Sequence, residues 1–134
     1  MSTDINQIII DFNNTLETLI LTINTICPIV IHGNKIKNKD ITDAFHNKMN
    51  FEKFIDFFSL KVLPYKNNIH EFFTTTTTEE GIDKYMMEMI SLKSVWPKLD
   101  DSNKETALIY IKILCDLAQM YYDYVVTNLS NNFN

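Results

Sequence analysis

Three histidines, His32, His46 and His70, and two cysteines, Cys27 and Cys115, are the side chains here best suited to hold a metal or attack a substrate. Zinc asks for ligands spaced so that one turn delivers two of them, as in C-x2-C or H-x3-H, and these five residues show no such spacing. They read as separate surface or half-buried side chains. Asp100 and Asp101 are adjacent carboxylates at the start of a predicted helix, the usual place for caps. Asp116 and Asp123 stand on one helical stripe, one on each side of Gln119, and would form an acid or metal pair only with help from another helix. Cys115 is expected in the core, and Cys27, beside Pro28 at a helix end, is the more reactive thiol. A Gly-rich phosphate loop, a G-x-S-x-G elbow and an H-E-x-x-H helix are all missing from the sequence. The expectation is a protein that is not an enzyme, with no catalytic, cofactor or metal residue and no small-molecule substrate.

Composition narrows the class further. A chain of 134 residues with 46% hydrophobic and 12% aromatic residues can bury a core and is not disordered. Only 2 Gly and 3 Pro leave little turn material, which favours a few long elements over many short strands. A net charge of -5 argues against a nucleic-acid binder, since phosphate neutralisation needs a basic surface. All 12 basic residues are Lys, so bidentate Arg clamps are ruled out, and the bias toward Lys, Asn and Ile points to an AT-rich coding sequence. Two isolated cysteines suit a reducing, intracellular setting. The first residues, MSTDINQIIIDF, read as no secretory signal, and Glu17, Asn24 and Pro28 interrupt the greasiest run, so no membrane span is expected.

The elements follow from periodicity. Ile5, Ile9, Phe12, Leu16, Leu19, Ile23 and Ile26 form one stripe of a helix over 3–26, capped by Thr3 or Asp4 and ended by Pro28. Residues 29–36 are a loop or a short hairpin around His32, Gly33 and Asn34. A short helix follows Asp40, and Asn50 can cap another with Phe51, Phe54, Phe58 and Val62 on one face, ending before Pro64. The stretch NNIHEFF adds a turn or two. Thr74 to Thr78 read as an exposed connector whose last threonines box with Glu79 and Glu80, and a further helix runs from there to Trp96. Met86, Met89 and Trp96 on that helix are a candidate groove for a partner helix, or else core.

The final helix is expected over 102–129, started by a capping box of Ser102 with Glu105. Its polar residues, Glu105, Lys112, Asp116, Gln119, Asp123 and Thr127, keep to one narrow stripe, which leaves about two thirds of its circumference apolar where about a third suffices for a surface helix. Either this helix is the mostly buried spine of a bundle, or one flank is an interface. Tyrosine suits half-wet contact surfaces, so Tyr110, Leu117, Tyr121, Tyr124 and Val125 are the candidate interface.

Trp96, Leu99, Asn103, Lys104, Tyr110, Ile111 and Leu114 resemble a pattern in small uncharacterised proteins of nucleocytoplasmic large DNA viruses of amoebae and algae. Where those proteins usually carry a second tryptophan, this chain has Leu108. The resemblance spans 96–114 and implies an all-helical, virus-encoded protein working in the cytoplasm of an infected cell or packaged in the virion.

Together these readings give one all-α domain over 1–134, a bundle of about five helices with a frayed tail at 130–134. The expected function is a structural or protein-interaction role through self-association, a dimer first, or through a protein partner. One alternative is a host-directed modulator that takes a partner helix in an apolar groove, Bcl-2-like by analogy. Another is a nucleic-acid-associated protein using Lys35, Lys37, Lys39 and Lys48.

Overall fold

The computed structural model describes residues 4–31, 33–74 and 95–132. Among them are five α-helices: α1 (Ile5–Ile26), α2 (Asn38–His46), α3 (Lys53–Lys61), α4 (Ile69–Thr74) and α5 (Asp101–Asn132). Single 3-10 turns at Lys48–Asn50, Leu63–Tyr65 and Trp96–Lys98 join or precede them. The chain is the all-α bundle that the periodicity predicts. Thr74, expected to open the connector, is instead the last residue of α4, while the rest of the connector and most of the helix expected from Glu79 to Trp96 lie outside the described residues. Among those described, no helix is long and apolar enough to cross a membrane.

Helix α1 starts where the sequence says it should: Asp4 Oδ1 accepts the backbone N–H of Asn6 at 3.0 Å, satisfying one of the free donors of the first turn. Ile9, Phe12, Leu16, Leu19 and Ile23 are all buried, so the middle of the predicted stripe is the core face, while Ile5 at one end is half-buried and Ile26 at the other is exposed. That face packs chiefly on α5, with α2 and α3 against its sides. Phe12 meets Phe58 of α3 edge-on, ring centroids 5.3 Å apart. Tyr121 of α5 ties to α3 by donating its hydroxyl to Asp56 Oδ1 at 2.5 Å.

The segment after α1 is a hairpin. Strands β1 (Val30–Ile31) and β2 (Asn34–Lys35) pair antiparallel, Val30 with Lys35 and Ile31 with Asn34. Gly33 supplies the left-handed φ of +80° that a two-residue loop requires. Asn24, near the end of α1, holds the hairpin in place. Its Oδ1 accepts Ile29 N–H at 2.8 Å, while its Nδ2 donates to Asn38 Oδ1 at 2.9 Å and Ile36 O at 3.3 Å.

Two local expectations are corrected by long-range demand. Asn50 does not cap α3: it is buried, and its Nδ2 donates to the carbonyl of Ala44 at 2.9 Å. Glu52, the residue before α3, makes no side-chain capping bond, and Asn47 caps only the preceding 3-10 turn, accepting Met49 N–H at 3.0 Å. Replacing Asn50 by alanine leaves the Ala44 carbonyl buried without its donor, and a loss of about 1–3 kcal/mol in urea denaturation is expected. Helix α5 likewise begins one residue early. Asp100 Oδ1, not Ser102, accepts the first free N–H, from Asn103 at 2.8 Å, and the helix runs past 129 to Asn132.

The largest difference concerns α5 as a whole. It is not the mostly buried spine expected over 102–129. Ala107, Ile111, Leu114, Cys115, Ala118 and Tyr121 are its buried residues, one stripe facing α1 and α3. At 32 residues α5 is about 48 Å long, whereas the 22 residues of α1 span about 33 Å. Beyond Val125 it overhangs the core, with Val126 and Leu129 exposed.

Candidate interaction surface

The side of α5 turned away from the bundle carries a row of exposed apolar residues, with Thr106, Asp116 and Thr127 beside them. Ile109 is 64% exposed, Ile113 44%, Met120 46% and Tyr124 38%. At 3.6 residues per turn these four fall within about 60° of the helix circumference, roughly opposite the Ala107–Ala118 stripe. Met49 and Leu60 stand singly and need no partner to explain them, whereas Tyr122, Val126 and Leu129 make a second, shorter exposed row near the overhanging end of α5. Four in a row on one helix face form a seam of the kind that a second helix covers.

Most of the residues expected to form the interface lie elsewhere. Tyr121 is buried and its hydroxyl is held by Asp56. Tyr110, Leu117 and Val125 are half-buried and pack against the core, which leaves Tyr124 alone on the exposed face. Both the core-facing and the solvent-facing sides of α5 carry apolar residues, so tyrosine content was a poor guide to which one faces inward. A better signal was present: Ala107 and Ala118, eleven residues apart on one line of the helix, both lie in its buried stripe.

Trp96 of the candidate groove is also buried. Its ring stacks flat on Phe73, centroids 4.2 Å apart, and the Lys104 ammonium sits 5.9 Å from its centre. Among the described residues its Nε1 has no hydrogen-bond partner. Met86 and Met89 lie outside the described residues. Beside Trp96 an open groove of about 770 Å³ separates the turn before α4 from α5. Lys66, His70, Lys104, Lys112, Asp116 and Gln119 rim it over a floor that includes Leu108 and Cys115. Its size is that of a ligand pocket, and three lysines against one aspartate suit an acidic group.

The groups singled out for chemistry are in quieter roles. Asp100 caps α5 and Asp123 accepts Gln119 Nε2 at 2.9 Å. Lys35 ends the hairpin, Lys37 and Lys39 flank the start of α2, and Lys48 follows α2; all four are exposed. Among the described residues no group of three His, Cys, Asp or Glu side chains could hold a metal ion.

Both cysteines are free thiols. Burial, helped by the charge of Asp116, pushes Cys115 up from 9.0 to about 11. Because the raised value belongs to the folded state, the stabilising contribution of the neutral thiol is complete below pH 9 and is lost as pH climbs toward 11. At pH 8 an aromatic disulfide reagent is therefore expected to modify half-buried Cys27 first, with Cys115 reacting only on unfolding in urea. Rapid modification of Cys115 in the folded protein would contradict this.

Compared with family models, curated proteins and solved structures, the chain finds no match.

Proposed function

We propose that this chain is a non-enzymatic structural or protein-interaction protein that works by self-association, and that it associates through the free face of α5. The observation that carries the reading is the row Ile109, Ile113, Met120 and Tyr124, aligned on the side of α5 opposite the core. Leaving such a seam in water forgoes about 25 cal/mol for each Å² of apolar surface that a partner would cover. The uses found for the titratable groups support the non-enzymatic part: Asp100 serves as a cap and Cys115 as a protonated core residue. The resemblance over 96–114 supports a virus-encoded protein of an infected cell or its particles.

Light scattering behind a size-exclusion column, across a tenfold concentration range, tests the reading. A dimer or higher assembly, dissociating toward the 15.7 kDa chain on dilution, is the expected result. A strict monomer at every concentration would contradict it.

A second reading, capture of a partner's segment, has the groove between α4 and α5 in its favour. The lysine rim fits an acidic partner helix, with Leu108 on the floor as its apolar contact.

A further inference from the structure

The exposed seam of α5 is symmetric along its length. Ile109 and Ile113 are four residues apart, seven residues separate Ile113 from Met120, and four more lead to Tyr124. The spacing reads the same in both directions, about a midpoint between Asp116 and Leu117. A twofold interface has to be self-complementary, so that if one residue meets a second, the second meets the first in return. Laid antiparallel across that midpoint, two copies of α5 bring Ile109 against Tyr124 and Ile113 against Met120, twice over. Thr106 then falls opposite Thr127.

Charge selects this direction over a parallel one. Glu105, Lys112, Asp116 and Asp123 all lie on one flank of the seam, whereas Thr106, Tyr110 and Leu117 lie on the other. In a parallel pair each charged flank would face the uncharged flank of its partner. In an antiparallel pair like flank meets like flank, so Lys112 comes beside the partner's Asp123 and the tyrosine flanks meet each other. The helix dipoles also oppose, which is favourable. The overhanging end of α5 beyond Val125 then runs beside the first turns of the partner's α5, with Thr127 on the shared face.

We infer that two copies of this chain dimerise by antiparallel pairing of their α5 helices about a twofold axis at Asp116 and Leu117. This rests on the self-association reading and adds to it the geometry and the partner. One contact is unfavourable: Asp116 meets its own counterpart near the axis, so Asp116→Asn tightens the dimer.

Variants that each add one cysteine at an exposed position of α5 test the arrangement, with the wild-type protein as background for Cys27 and Cys115. Under mild oxidation Asp116→Cys links to itself, because it sits at the axis. Thr127→Cys alone does not, but it links to Thr106→Cys when the two variants are mixed. In sedimentation equilibrium Lys112→Glu weakens the dimer roughly tenfold, and adding Asp123→Lys recovers most of that loss. A dimer in which Thr127→Cys links to itself would be parallel and would overturn the inference while sparing the self-association reading. A dimer in which neither Asp116→Cys nor the mixture links would place the interface elsewhere and overturn it too. A wild-type monomer would remove both the inference and the reading beneath it.

Discussion

Phe12→Ala is expected to lower the stability of the folded chain by about 3–5 kcal/mol, the range for emptying a phenylalanine site in a packed core. Phe12 is fully buried at the middle of α1, where α3 and α5 both lean on that helix, and its ring meets Phe58 edge-on at 5.3 Å. Alanine removes the ring from all of these neighbours at once. The backbone around it is helical and cannot collapse into the space, so a cavity term adds to the lost transfer energy. Domains of this size have about 5–15 kcal/mol in total, so the variant sits near the limit of folding, with a melting temperature lower by about 10–20 °C. Phe12→Leu keeps most of the volume and is expected to cost about 1.5 kcal/mol or less. Urea denaturation of both variants checks the pair. A loss below about 1 kcal/mol for Phe12→Ala would mean that α1 does not hold this face against the bundle.

The double substitution Ile113→Glu with Met120→Glu should have the opposite character, leaving the fold alone and destroying association. Both residues are exposed in the single chain, and glutamate is a good helix former, so the stability of the monomer should stay within about 0.5 kcal/mol of wild type. In the antiparallel pair these two positions face each other, so four carboxylates are forced together and away from water. Uncompensated charges at an interface are costly, and association should weaken at least about 100-fold. Unchanged helical circular dichroism together with a lost concentration dependence of the melting temperature is the expected signature.

What the sequence made legible was what depends on neighbours along the chain. The stripe from Ile9 to Ile23 is buried as its spacing required, and Asp4 caps α1. Gly33 marked the hairpin turn. Failures came where a distant residue decides. Asn50 looks like a cap from its neighbours, but the Ala44 carbonyl claims its side chain. Tyr121 looks like a surface tyrosine until Asp56, 65 residues earlier, accepts its hydroxyl. At the start of α5, Asp100, Asp101 and Ser102 are all good caps, and local chemistry could not choose among them. The candidate surface was half legible for the same reason. Excess apolar character on α5 could be counted in the sequence, but deciding which flank was in excess required knowing where α1 packs.

The most direct measurement of the central claim, that the free face of α5 holds copies of this chain together, is sedimentation equilibrium of the wild type beside Ile113→Glu/Met120→Glu. The account predicts that at high concentration the wild type has twice the 15.7 kDa mass of one chain, while the variant stays at that single-chain mass throughout. Equal masses for the two proteins at every concentration, whether monomeric or assembled, would contradict it.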